Sequence, residues 1–219
     1  MLKSTETRWV LDQNQFKILK HWFANQNLNF ENETIFSRQD YYLITQSDSL
    51  GIKIREPKMN EKGALESKLE IKTLVHDLGP QKFNDGNTGI VNTWKKYSFE
   101  TIPDEDETRA IIHSFTEKQS EKNWIKIEKD RLLVKFDIEE NKLVYAKKII
   151  NEGAGIELTK FKIKDTVYTS LGIEAFSVTN SDYSNFNQTM SFLFNDLKIS
   201  SLNHLESLSY PQIIKKQNL

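Results

Sequence analysis

The chain has no cysteine, so neither a disulfide framework nor thiolate chemistry is available to it. Its four histidines, at 21, 76, 113 and 204, show none of the spacings of a zinc site. No apolar run approaches the roughly 20 residues needed to span a bilayer, and the opening stretch MLKSTETRWVLD becomes charged before a signal-peptide core could form. A charge excess of one sign is also missing: 30 basic residues stand against 31 acidic ones. That balance argues against nucleic acid or an anionic membrane as partner. The expectation is a soluble, cytoplasmic protein in which any strong anion site comes from local segregation of charge. Its 219 residues, 37% of them hydrophobic, fit a single domain over 1–219, with 180–219 as a C-terminal helical appendage.

What is present is a series of short strands with charge at every second position. Side chains alternate across a strand, so GIKIRE puts Lys53 and Arg55 on one face and Ile52 and Ile54 on the other. KLEIK does the same with Lys68, Glu70 and Lys72. TETRWVL pairs Glu6 with Arg8, and Asp12 then precedes a helix whose Phe16, Leu19, Trp22 and Phe23 fall on one stripe. FSRQDYYLIT and TWKKYSFETI read as strands, with a long Gly/Asn-rich connection over 77–89 between KLEIK and the latter. DEDETRAIIHSFTEK reads as a helix start, with His113 in a structural role.

WIKIEKD, RLLVKFDIE and NKLVYAKKII read as three strands with short turns, which favours antiparallel pairing. In them Lys126 shares a face with Glu128, and Lys135 with Asp137. GIELTKFKIK follows, its alternation failing near Lys160 as at a bulge or strand end. A last helix spans 186–197, and the tail is open. The expected fold is α+β: a mainly antiparallel barrel of eight or nine strands, closed or nearly so, with two or three packed helices. Exposed strand edges would suit a homodimer.

If helices cover the apolar faces, the charged faces point into a groove or barrel interior. Buried charges there would need water, partners or a charged ligand. Lys and Arg from several strands can neutralise a phosphate chain, and Arg can grip two oxygens at once. Carboxylates beside them can hold Mg2+ or Mn2+. The plain alternative is an open sheet with solvated charged faces.

The order of these elements resembles the CYTH, or triphosphate tunnel metalloenzyme, superfamily. STETR resembles its opening Glu-x-Glu-x-Lys strand, QDYYL its Asp-Tyr-Tyr-like strand, and IKIRE and LEIK its basic strands. WIKIEKDRLLVKFD and GIELTKF resemble its late strands, so the likeness runs from residue 4 to about 164. It implies a small triphosphate or polyphosphate as partner, held by Arg8, Lys53, Arg55, Lys72, Lys126 and Lys135. It also implies that Glu6, Asp137 and Glu157 serve as catalytic carboxylates and ligands of Mg2+ or Mn2+. Ser4 stands where the family has its first Glu, and Thr159 where the late strand has its second, so phosphate binding is better supported than hydrolysis.

The leading function is therefore metal-dependent hydrolysis of inorganic, nucleoside or thiamine triphosphate. A non-catalytic polyphosphate-binding module of the same fold is the alternative, and a structural interaction protein a third. Local alternatives stand beside the site assignments: Glu70 pairing with Lys53 or Lys72, and Asp137 ending its strand in a turn.

Overall fold

A computed structural model of the protein describes residues 2–26, 35–59, 65–100, 123–199 and 201–217. The helix expected at DEDETRAIIHSFTEK, with His113, lies outside the described residues. In chain order the elements are β1 (Leu2–Val10), α1 (Gln13–Asn25), β2 (Ile35–Leu43), β3 (Leu50–Met59) and β4 (Leu65–Asn84). There follow β5 (Asn87–Glu100), β6 (Trp124–Asp137), β7 (Lys142–Tyr145), β8 (Glu152–Ile163) and β9 (Thr166–Ser177). Last come α2 (Asp182–Asp196), a 3-10 turn (His204–Glu206) and α3 (Tyr210–Gln217).

Eight strands run antiparallel in the order β2-β3-β4-β5-β1-β9-β8-β6, and β6 pairs back onto β2 from Leu43↔Trp124 to Ile35↔Leu132. That ladder closes the barrel. β7 adds to β6 beyond the point where β2 ends. The fold is thus α+β, a closed eight-stranded barrel with one extra strand and three helices among the described residues.

The outer wall explains why charge faces inward. α1 starts at Asp12, whose side chain accepts from the Gln15 backbone while Gln15 reaches back to the Asp12 backbone, a reciprocal cap. It brings Leu19, Trp22 and Phe23 against the wall, and α2 brings Phe186, Met190 and Leu193. These meet Phe136 of β6, Ala154, Ile156 and Leu158 of β8, and Leu171 and Ile173 of β9. With those positions committed to the helices, their strand neighbours must turn into the barrel.

β8 shows both faces changing along one strand. Its outward residues are apolar under the helices (Ala154, Ile156, Leu158) and then exposed lysines (Lys160, Lys162) beyond them. Its inward residues run from Glu157 and Thr159 to buried Phe161 and Ile163. The failure of alternation at Lys160 is therefore no bulge, since pairing with β6 and β9 continues without a register shift. The strand simply leaves the helix layer there.

Three other expectations change. The connection at 77–89 is a hairpin of β4 and β5 with its turn at 85–86, and register shifts at three places along β4 scramble the alternation. WIKIEKD and RLLVKFDIE form one continuous strand. The strand begun by GIKIRE also runs on through Met59.

The tail is ordered by contacts with the barrel. The Leu208 backbone N–H donates to Arg8, and Ser207 bridges to Trp9. Ile213 and Ile214 of α3 then pack with Tyr42, Ile125, Ile127, Phe161 and Ile163, sealing one barrel end.

Ile156 is fully buried between wall and helices. Ile156→Ala should destabilise the fold by about 2–5 kcal/mol in urea unfolding. A loss below about 1 kcal/mol would show that the helix layer does not hold the wall.

Candidate functional site: a cationic tunnel

The barrel encloses a cavity of about 370 Å³, within the size range of small-molecule sites. Nine cationic side chains line it against four carboxylates, so the chain's near-zero net charge is strongly segregated. Each carboxylate sits among cations.

Glu157 on β8 accepts from Arg8 at 3.1 Å, from Arg131 at 3.0 Å and from Thr159 at 2.8 Å. Burial works to raise its pKa, but Arg8 and Arg131 overcome that and hold it well below the usual carboxylate range. Arg8 also donates to Ser170 at 2.8 Å and lies 4.6 Å from the centre of the Tyr210 ring. Gly172 makes room for it, because a Cβ there would stand 2.5 Å from Arg8 Nη2.

Asp40 on β2, fully buried, forms ion pairs with Lys129 at 3.0 Å, Arg38 at 3.2 Å and Lys53 at 3.8 Å. Lys129 further donates to the Tyr42 hydroxyl at 2.8 Å. Burial pulls Lys129 down to about 7 and Lys53 to about 8, with Arg38 adding to the effect against the pull of Asp40. Glu70 on β4 pairs with Lys53 at 2.7 Å and Arg55 at 3.2 Å. Against the upward push of burial, these cations bring its carboxyl down to about 2.

Glu6 and Glu174 face each other in the β1–β9 ladder. Ser4 donates to Glu6 at 2.5 Å, Lys72 contacts it, and Glu174 has Lys96 at 3.7 Å and Lys72 at 3.8 Å. Burial, with the Glu174 charge adding to it, raises the Glu6 carboxyl.

Of the residues expected from the sequence, Glu6, Arg8, Lys53, Arg55, Lys72, Lys135 and Glu157 line the cavity, and Glu70 pairs with Lys53. Lys126 and Asp137 do not line it. On β6 the odd positions Lys129, Arg131, Leu133 and Lys135 point inward, so Lys126 lies on the outer face with Glu128 at 2.7 Å. Asp137 ends the strand: it accepts from the backbones of Glu139 and Glu140 and pairs with Lys148 at 2.9 Å. Lys135 donates to the Lys148 backbone at 2.6 Å.

Sequence reasoning missed Arg38, Lys96, Lys129, Arg131 and Glu174. A signal existed for the first in the alternation Arg38-x-Asp40-x-Tyr42. Lys129 and Arg131 were hidden by splitting β6 in two.

As arranged, these side chains do not fit a resident divalent cation. Among the described residues no three of His, Cys, Asp or Glu come together, and the lumenal carboxylates are matched to Lys or Arg instead. Nor is any described helix long and apolar enough to cross a membrane.

No family model and no curated protein matches the chain. Among solved structures it is similar to a putative adenylyl cyclase from Hippeastrum with a dominant triphosphatase activity, at 11% identity over 100% of this chain and 96% of that one, TM-score 0.47. It is also similar to the PH1819 protein of Pyrococcus horikoshii, at 13% identity over 98% and 99% of the two chains, TM-score 0.49. A third is the S. pombe RNA triphosphatase Pct1, at 11% identity over 89% and 82%, TM-score 0.44. Similarity at this level says nothing of catalysis in this chain.

Lys129 and Lys53 are held below the ordinary lysine value, so the folded state binds fewer protons than the unfolded chain between about pH 7 and pH 10. Stability contributed by this site should therefore rise with pH across that window, since the unfolded state takes up the extra protons. In urea unfolding from pH 6 to 9, Lys129→Met should flatten the slope. An identical slope in wild type and variant would show that Lys129 carries its charge without cost.

Proposed function

We propose that the tunnel binds the triphosphate or short polyphosphate chain of a small molecule. The observation that carries this reading is the excess of cations, nine against four carboxylates, converging from six strands of a closed barrel on a cavity of small-molecule size. A phosphate chain brings several negative charges and many acceptor oxygens in one narrow body. Arg8, Arg55 and Arg131 offer planar forks suited to such oxygens, and Lys53, Lys72 and Lys96 offer point charges. Low dielectric in the enclosed lumen strengthens each of these attractions. The resemblance of the charged strands to the triphosphate tunnel superfamily supports the same reading.

Hydrolysis of the phosphoanhydride bond is the second reading, favoured by one observation: Glu6 and Glu174 lie opposite each other and share Lys72. A phosphate chain competing for Lys72 would leave two carboxylates side by side. Positioned cations would meanwhile stabilise charge on the phosphoryl oxygens.

Calorimetry with inorganic triphosphate, ATP and thiamine triphosphate at low salt tests the first reading. Inorganic triphosphate should bind, and Arg55→Ala should weaken it by about tenfold, or ~1.4 kcal/mol. Absence of binding for all three ligands would remove the proposal. Phosphate release in the same samples, with Mg2+, Mn2+ or chelator, separates the readings. Metal-dependent release lost in Glu6→Ala establishes a hydrolase, and binding without release establishes a binder.

A further inference from the structure

The charges around Asp40 do not balance. Inside the end that α3 seals, Asp40 has Lys129 at 3.0 Å, Arg38 at 3.2 Å and Lys53 at 3.8 Å. The neighbouring carboxylate, Glu70, pairs with Lys53 at 2.7 Å and with Arg55 at 3.2 Å. Arg55 is 33% exposed, so water screens its charge. Among the described residues this leaves Arg38, Lys53 and Lys129 enclosed with Asp40 and Glu70, three cations for two carboxylates.

An enclosed charge without a counter-ion is relieved most readily by loss of a proton. Arg38 cannot lose one, because a guanidinium in a protein stays protonated. Lys53 touches both carboxylates. Lys129 touches Asp40 alone and is only 1% exposed, with the Tyr42 hydroxyl 2.8 Å from its Nζ and the centre of the Tyr210 ring 3.7 Å away. A neutral amine keeps both polar contacts, donating to Asp40 and accepting from the Tyr42 hydroxyl. The other groups facing Lys129 are Arg38 on β2, Lys53 on β3, and Glu157 on β8, which Arg8 and Arg131 already hold. Burial pulls Lys129 down to about 7, Asp40 opposing the shift and Arg38 assisting it.

Resting on the triphosphate-binding reading, we infer that Lys129 is a proton switch, neutral in the empty tunnel above neutral pH and protonated when a phosphate chain fills the lumen. The chain need not touch Lys129. Its negative charges enter the same poorly screening space and supply the counter-charge that Asp40 and Glu70 lack. The proton comes from solvent and joins the Nζ lone pair, and no covalent bond of the chain or the ligand breaks. Binding is thereby tied to pH, since a ligand that must bring a proton with it binds less tightly as protons become scarce.

Calorimetry on the full chain with inorganic triphosphate at pH 8, repeated in HEPES and in Tris, counts the protons taken up, because the two buffers differ in heat of ionisation. The free ligand ionises identically in every sample, so the difference between wild type and Lys129→Met isolates the switch. Wild type should take up at least about half a proton more than the variant. Equal uptake by two proteins that both bind would overturn the inference and leave the triphosphate reading standing. Absence of binding to wild type would overturn both. Carbon-13 NMR of the lysine ε-carbons in wild type reports the same proton directly. One of them should titrate near neutral pH in the free protein, with a midpoint that rises by about one pH unit or more when triphosphate is added. Lysines that all titrate above about pH 9, or a near-neutral midpoint that triphosphate leaves in place, would overturn the inference even if Lys129→Met does not fold.

Discussion

The closing ladder between β2 and β6 is the constraint on which the rest depends. An open sheet with these strands would leave its lysines and arginines in water, where each costs little and organises nothing. Once β6 returns to β2, side chains from opposite walls share one enclosed space, and their charges act on one another through a medium that screens poorly. The altered ionisation of Lys53, Lys129, Glu70 and Glu157 follows from that enclosure. So does the arrangement of carboxylates, each set between cations that would otherwise repel. A buried charge stripped of its partner is strongly destabilising. The lumenal carboxylates thus have a structural office whatever ligand enters.

The stability of so polar an interior is supplied from outside the barrel. α1 and α2 bury aromatic and aliphatic side chains against one part of the wall, with Phe136 stacked on Phe192 at 4.4 Å between ring centres. A second apolar cluster under α3 closes the end. The molecule is layered from inside outward as a charged lumen, a strand wall, and an apolar core between wall and helices.

Much of this was legible in the sequence. Period-two charge in GIKIRE, KLEIK and TETRWVL identified inward faces correctly at Glu6, Arg8, Lys53, Arg55, Glu70 and Lys72, all of which line the cavity. The antiparallel strands, α1 following Asp12 and the C-terminal helix followed from pattern, with the barrel expected as closed or nearly so. Errors arose where a strand passes between environments. β6 carries Ile125 and Ile127 inward under α3, then Lys129 and Arg131 inward at the lumen, so its apolar and charged residues share one parity. Read locally, WIKIEKD offers Lys126 and Glu128 as its charged face, and they are outside. Asp137 continues the inward parity but stands at the strand's end, where turn backbones and Lys148 claim it. Glu174 was lost in a stretch without visible alternation, since Gly172 interrupts the pattern to accommodate Arg8.

The long arm of β4 bears on a different matter, the strand edges that a closed barrel still leaves open. β4 pairs with β3 only as far as Thr73, and from there to Asn84 its outer edge has no ladder among the described residues. A flat edge of that length would be an open template for strand addition. Register shifts interrupt it at three places, Gly79 takes a positive φ, and Pro80 withholds an N–H. β7, the other margin, is four residues long, starts with Lys142 and is followed by Lys147 and Lys148. The same irregularities that made residues 77–89 look like a loop thus make the edge of an extended hairpin a poor template for a foreign strand.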